Sequence, residues 1–390
     1  MSRTRREAIR RLATAGLSAG MLSVLAVSHA AGSGRSGTPA SCAPEQATRW
    51  RGGTLRLEND LLAGTDRNYT NGLALALVSR DFESAPSPAC LPRPIGLYGR
   101  FLDLIEPGFR REEADTSMSQ NVVVRLGQAI YTPEDGTRSD LIVDDRPYAG
   151  LLYFGIAWNR RIHPLDTGYE VLDVRDLTLG VIGPWSLAEQ SQDLAHRAEG
   201  AARFRGWDHQ LRNETALQLT RERRFRPFAG DTGVAGWRHD AIGGYALRVG
   251  NVETSASAGL ELRAGWNLPD DFGSYPIRAG AENRPPSAVR KTHESKGMAP
   301  GARRPGVHAF VNLELSAIAH DFSLDGNLFH DSHRVSRRPL VAQVAAGISS
   351  QWFVAGRRLR FAVMRVWRTR EFDEQSGDPA FGSIAFSWER

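Results

Sequence analysis

Beyond residue 50 the chain repeats stretches of about ten residues in which apolar side chains alternate with small or polar ones. Leu73, Leu75 and Leu77 alternate with alanine and valine, and Val122, Val124 and Leu126 do so around Arg125 and Gly127. Ala216 to Leu219, Phe310 to Leu315 and Val341 to Ile348 follow the pattern less strictly. The C-terminus is the clearest case. Gly382, Ile384, Phe386 and Trp388 share one face, with Ser383, Ala385, Ser387 and Glu389 on the other. A period of two belongs to β-strands with one apolar and one polar face. It predicts twelve strands, near 54–60, 71–80, 121–131, 149–160, 170–182, 214–223, 238–249, 253–265, 307–321, 339–352, 356–370 and 381–389.

A soluble sandwich would alternate in the same way. An export signal, an aromatic-rich last strand and long strands favour the membrane instead. No run of eighteen apolar residues follows the signal, which excludes helical spans. The predicted fold is therefore all-β, a twelve-stranded antiparallel transmembrane β-barrel over residues 51–390 with both ends on the periplasmic side. Closure leaves no sheet edge in lipid. The connections 82–118, 267–306 and 325–338 are rich in Pro, Gly, Ser and charge and read as loops. One segment breaks the β pattern. Ser186 to Ala202 lacks Pro, has no Gly until 200, and is rich in Ala, Glu, Gln and Leu. It predicts a short helix in an extracellular loop, with Ser186 as N-cap and Glu189 completing a capping box.

Composition matters mainly through the first thirty residues. Arg3, Arg5, Arg6, Arg10 and Arg11 precede a short apolar stretch, Leu12 to Val27, and Ser28-His29-Ala30 offers a cleavage site. Residues 1–30 read as a cleaved export signal, with a twin-arginine hint, and 31–50 as a flexible lead-in. The whole chain holds 49 basic and 44 acidic residues, five Arg and one Glu of them in the signal. The remainder is close to neutral, which gives no case for a nucleic-acid partner. The two cysteines, Cys42 and Cys90, can form a disulfide in an exported chain.

Several clusters could do chemistry. The predicted helix puts Glu189, Gln192 and His196 on one face, either a stripe turned to a site with His196 as base or a solvated face. Glu58-Asn59-Asp60 and Thr65 to Gly72 concentrate oxygens that suit a hard cation such as calcium, or simply form a turn. Arg146, in Asp144 to Gly150, could contact phosphate or pair with a carboxylate inside the barrel. Gly206 to Glu214 is a fourth polar cluster. Phe329 to His333 holds every residue type of a Ser/His/Asp site, although sequence neighbours rarely have triad geometry.

Taken in order, these segments resemble the outer-membrane lipid A 3′-O-deacylase family. The resemblance runs from Glu58 to Trp388. It rests on Glu58-Asn59-Asp60, Asn68-Tyr69-Thr70-Asn71-Gly72, Ile130-Tyr131-Thr132-Pro133 and Asp145-Arg146-Pro147-Tyr148-Ala149-Gly150. Val181-Ile182-Gly183-Pro184, Gln192, His196, Trp207, Gln210-Leu211 and Phe381-Gly382-Ser383 follow. The resemblance implies a bacterial outer-membrane barrel that hydrolyses the ester-linked 3′ acyl chain of lipid A with a calcium ion. It implies Asn59 and Asp60 in the calcium-bearing part of the site, His196 as the base and Gln192 beside it. It also implies Thr70, Arg138 and Arg146 towards the substrate. Lipopolysaccharide, outer-membrane lipid and the barrel assembly machinery are the expected partners. One departure stands out: some members carry an acid six residues after the histidine, where this chain has Ala202, with Glu199 nearby. The alternatives are a serine-type outer-membrane phospholipase using Ser332 with His330 and Asp331, and a porin-like barrel without catalysis.

Overall fold

The computed structural model describes residues 50–59, 68–111, 116–164, 169–200, 202–231, 233–274, 285–286, 304–377 and 379–390. The expected export signal and lead-in lie outside them, except for Trp50, which opens the first strand. The strands are β1 Trp50–Asn59, β2 Asn68–Ser79, β3 Thr116–Thr132, β4 Ala149–Pro164, β5 Glu170–Ile182 and β6 Glu214–Asp231. β7 Trp237–Gly250, β8 Glu253–Trp266, β9 Gly306–Asp321, β10 Leu340–Val354, β11 Arg357–Arg368 and β12 Ala380–Glu389 complete the set. Each pairs antiparallel with its sequence neighbours, and β1 pairs with β12 to close the barrel. Among the described residues three α-helices lie in the connections: α1 Arg93–Ile105, α2 Ala188–Glu199 and the single turn α3 Phe322–Asp325.

Alternation decides which face meets lipid. On β1, Leu55 and Leu57 are exposed while Thr54, Arg56 and Glu58 are buried. Register carries that phase round the barrel: Leu55 aligns with Leu75, Leu75 with Leu126, Leu126 with Phe154, and Phe154 with Leu179. All of these are exposed. The outward face is thus a belt of aliphatic and aromatic side chains, as a spanning barrel requires.

The inward face is charged. Arg125 pairs with Asp176 at 2.6 Å, and Arg263 with Asp240 at 2.6 Å and with Asp271. Each buried guanidinium has carboxylate neighbours because an unpaired one would cost several kcal/mol. The segment after β8 enters this lumen from the end that carries both termini. Phe272 is fully buried among Val78, Val123, Leu172 and Val174, and its carbonyl accepts from Arg224 at 2.9 Å. At the opposite end Leu211 and Phe322 pack against Tyr153 and Ile182.

All twelve predicted strands occur, but the predicted loop 82–118 also contains α1. Gly96 and Gly99 depress its helix propensity. Tertiary packing supplies what propensity does not: Ile95, Tyr98 and Leu102 bury against Val122, Ile156 and Trp158. Those three wall residues are in the outward phase, so α1 lies on the outside of the barrel, at the periplasmic end. Cys90, in the turn before α1, is disulfide-bonded; the only other cysteine, Cys42, is outside the described residues.

Candidate active site

α2 also lies on the outside of the barrel, at the opposite rim. The chain leaves β5 through Gly183, whose φ of 88° is glycine territory, and its N–H donates to the Gly150 carbonyl at 3.0 Å. Pro184–Ser186 then makes one 3-10 turn, and Leu187 takes φ 58° before the helix begins. This corrects the expected capping box. Ser186 precedes the helix, and its hydroxyl donates to the Gly183 carbonyl at 2.6 Å. Leu187 caps α2 without a side-chain bond, and Glu189 instead pairs with Arg203 at 3.0 Å. Gly150 sits directly beneath. A Cβ there would overlap Ser186 Oγ and the Ala188 methyl, so the wall carries glycine where the helix must touch it.

The wall under α2 is an outward row. Gly382, Asn59, Asn71, Ile130 and Gly150 align across β12, β1, β2, β3 and β4. Ile130 packs against Ala188 at the start of the helix. Asn59 is two strand spacings from Ile130, roughly 10 Å. One row towards the membrane, Gln128 stands in the outward phase and donates to the Ser186 carbonyl at 2.6 Å. The sequence reading missed Gln128, although an amide in phase with Leu126 and Ile130 is itself a signal. β2 carries a bulge between Tyr69 and Asn71, which leaves Thr70 out of register with β3. Bulges commonly re-aim a side chain beside a site. The side chain of Thr70, and Asp60 entirely, lie outside the described residues.

Ala188, Gln192 and His196, four residues apart, form the inward stripe of α2; Glu189 flanks it. His196 is 5% exposed, and its Nδ1 lies 2.7 Å from the Ala202 carbonyl. A carbonyl only accepts, so Nδ1 carries a proton, and in the neutral imidazole the lone pair is then on Nε2. Phe204 meets the imidazole edge-on at 4.9 Å. The position where the resemblance expects an acid therefore supplies a backbone oxygen instead. Arg203, between them, reaches back to Glu189 and, at 2.7 Å, to Asp193. The side chain of Glu199 is outside the described residues.

Gln192 is 2% exposed, yet neither its amide oxygen nor its amide nitrogen has a hydrogen-bond partner among the described residues. Leaving such a group unsatisfied costs about 1–3 kcal/mol, so it calls for a ligand or water. In the cluster around Ala188 the Tyr148 and Trp207 rings meet at a tilt with centroids 4.8 Å apart, and burial pushes the Tyr148 phenol up to about 12. A hard cation takes carboxylate and amide oxygens. Asn59, the Gln192 oxygen and, in sequence, Asp60 are of that kind. Among the described residues no three His, Cys, Asp or Glu side chains are grouped to hold a metal.

A profile of the family described as outer membrane protein LpxR matches residues 18–390. The chain belongs to the LpxR family. It is a bacterial outer-membrane β-barrel protein. Among solved structures it is similar to LpxR from Salmonella typhimurium, with 16% identity and a TM-score of 0.59, covering 87% of this chain and all of that one. The β-domain of the Bordetella autotransporter BrkA gives 9% identity and a TM-score of 0.43, covering 87% of this chain and 98% of that one. A search of curated proteins finds no match.

Within this barrel the two predicted substrate arginines differ. Arg138 is exposed on the β3–β4 connection and held by Asp140. That connection packs on the α2 side, where the Arg205 N–H donates to the Gly136 carbonyl at 2.9 Å. Arg146 is buried instead. It is 1% exposed, pairs with Glu371 at 2.6 Å, and lies between the rings of Tyr131 and Phe372. Burial alone would raise the Glu371 carboxyl, but Arg146 and Arg368 hold it below its usual range. Arg146 ties the β3–β4 connection to the β11–β12 connection, the pairing alternative that its sequence left open. The Ser332 hydroxyl accepts from the Asn327 N–H at 2.8 Å, and His333 contacts the Asp145 carbonyl at 2.8 Å. Among the described residues Ser332 makes no hydrogen bond to a histidine, so the segment orders a loop.

Proposed function

We propose that the protein hydrolyses the ester-linked 3′ acyl chain of lipid A in the outer leaflet, with His196 as general base and calcium as cofactor. The observation that carries this reading is the placement of His196. The His196 imidazole is buried on the wall-facing stripe of α2 and held by the Ala202 carbonyl, at the rim opposite the termini. A base there meets lipid, whereas a porin would set its working groups in the lumen. That leaflet is where lipopolysaccharide lies.

The chemistry follows from the tautomer. Nε2 takes a proton from water as the water oxygen attacks the ester carbonyl carbon. The Ala202 carbonyl holds Nδ1–H and steadies the imidazolium that forms. The tetrahedral intermediate collapses, the bond to the sugar oxygen breaks, and His196 returns its proton to that oxygen. A free sugar hydroxyl and a fatty acid leave. The Gln192 amide N–H group orients the water or the oxyanion, which accounts for a buried amide without a partner among the described residues. Calcium, held by Asn59 and Asp60, supplies polarisation of the ester carbonyl when bound. Thr70 at its bulge and exposed Arg138 are the residues proposed towards the sugar and its phosphate.

Mass spectrometry of lipid A from cells producing the protein tests the reading. The expected result is loss of one acyl or acyloxyacyl unit with wild type, and none with His196→Ala or after calcium chelation. An unchanged spectrum with correctly inserted wild-type protein would refute it.

A further inference from the structure

α1 has a second face that the barrel does not use. Ile95, Tyr98 and Leu102 point to the wall, and Arg93, Leu97, Arg100 and Leu104 run along the opposite side at i, i+4, i+7 and i+11. Leu97 and Leu104 are about two-thirds exposed, at 65% and 66%. Arg93 and Arg100 are exposed as well, and neither has an ion-pair partner among the described residues. A soluble surface seldom alternates large aliphatic residues with unpaired cations on one stripe. A membrane interface favours that arrangement, because arginine stems lie along lipid while their heads reach phosphate.

The level of α1 on the wall points the same way. The outward row Leu126, Phe154 and Leu179 belongs to the lipid-facing belt. Four residues towards the termini, about 13 Å along β3, Val122 and Trp158 lie beneath α1. One outward position further, Arg160 aligns with Asp173, and Asp173 with Arg223. The wall passes there from apolar to charged, and α1 covers the transition. Glu106, just past the helix, is clamped by Arg175 at 2.6 Å, which fixes α1 at that height.

We propose that α1 is an interfacial helix of the periplasmic leaflet, with Leu97 and Leu104 among the acyl chains and Arg93 and Arg100 on glycerophospholipid phosphates. The partner is the phospholipid surface itself. The belt continues into the leucines, and the charge complements the headgroups.

The full-length protein, folded into phosphatidylethanolamine and phosphatidylglycerol vesicles, carries the test. Nitroxides are attached at Leu97→Cys or Leu104→Cys; Cys90 is disulfide-bonded and does not compete. Oxygen collisions should exceed those with a water-soluble nickel chelate severalfold at both sites. Nickel dominance, or shielding from both reagents as under a protein partner, would overturn the proposal. Arg93→Glu with Arg100→Glu should bring the Leu104 label measurably nearer to water, as should vesicles of a phosphate-free galactolipid. An unchanged depth in both arms would overturn the phosphate contact. Heat-modifiable gel migration verifies the barrel in each variant.

Discussion

Two helices lie on the outside of this barrel, at opposite rims, and they bury opposite chemistry. α1 turns Ile95, Tyr98 and Leu102 onto Val122, Ile156 and Trp158, a contact of apolar surface with apolar surface. Within that wall the Trp158 indole N–H donates to Gln120 at 2.7 Å. α2 turns Gln192 and His196 onto a wall that holds Asn59 and Gln128, and the Gln192 amide has no hydrogen-bond partner among the described residues. Wall-side packing is enough to explain α1. It does not explain α2. A helix that is held down while burying polar groups at a cost is there for something other than stability, and that contrast separates a docked element from a site.

The contrast predicts that α2 variants lose activity with little loss of stability, and α1 variants the reverse. His196→Ala should lower deacylation of lipid A by roughly 10²–10⁴-fold or more, the range for a lost general base. Heat-modifiable migration and circular dichroism of that variant should match wild type; retained turnover would remove His196 from the mechanism. Gly150→Leu comes next, because a side chain there lifts α2 from its wall. A loss of about 10²-fold in kcat is expected from ångström-scale misplacement, and full activity would mean that the helix need not sit close.

Gln192→Leu sharpens the comparison through its sign. Removing an unsatisfied amide should stabilise the barrel by about 1 kcal/mol while lowering turnover, measured by urea titration alongside the assay. A destabilised Gln192→Leu would mean that the amide has a structural partner. Trp158→Ala should instead cost about 3–5 kcal/mol, and leave kcat near wild type once the protein is folded. The smallest expected effect is on pH. The hydrogen bond from Arg175 to Glu106 holds that carboxyl below its usual range. A depressed folded value means a contribution present above the unfolded value and lost as pH falls through the folded one. Acidification through the lower carboxylate range should therefore loosen the end of α1, seen as faster hydrogen exchange, and Glu106→Gln should abolish that dependence.

The barrel was legible because lipid enforces a strict period of two. Leu73, Leu75 and Leu77 could not alternate otherwise, and only strand ends were misjudged. β6 runs on to Asp231 because the outward residues Arg221 and Arg223 stand below the lipid, where the wall need not be apolar. α1 was hidden by its two glycines, since its stability comes from a tertiary contact. The site was half legible. Gln192 and His196 share a face because helical spacing says so, but that Ala202 serves His196 through its backbone is invisible in any side chain. Arg146 shows the opposite limit, because a motif cannot tell a buried brace from an exposed ligand until its partner 225 residues away is known.

The segment carrying Phe272 occupies the lumen, and the proposed chemistry lies on the outer wall. Catalysis and the permeability barrier are then separate properties of one molecule. Changes in the charged interior are then free to follow folding, while changes on the outer wall follow the substrate. Substrate supply has its own limit: it depends on lateral diffusion in the leaflet, so crowding and lipid order, more than solution concentration, set how fast the surface is remodelled.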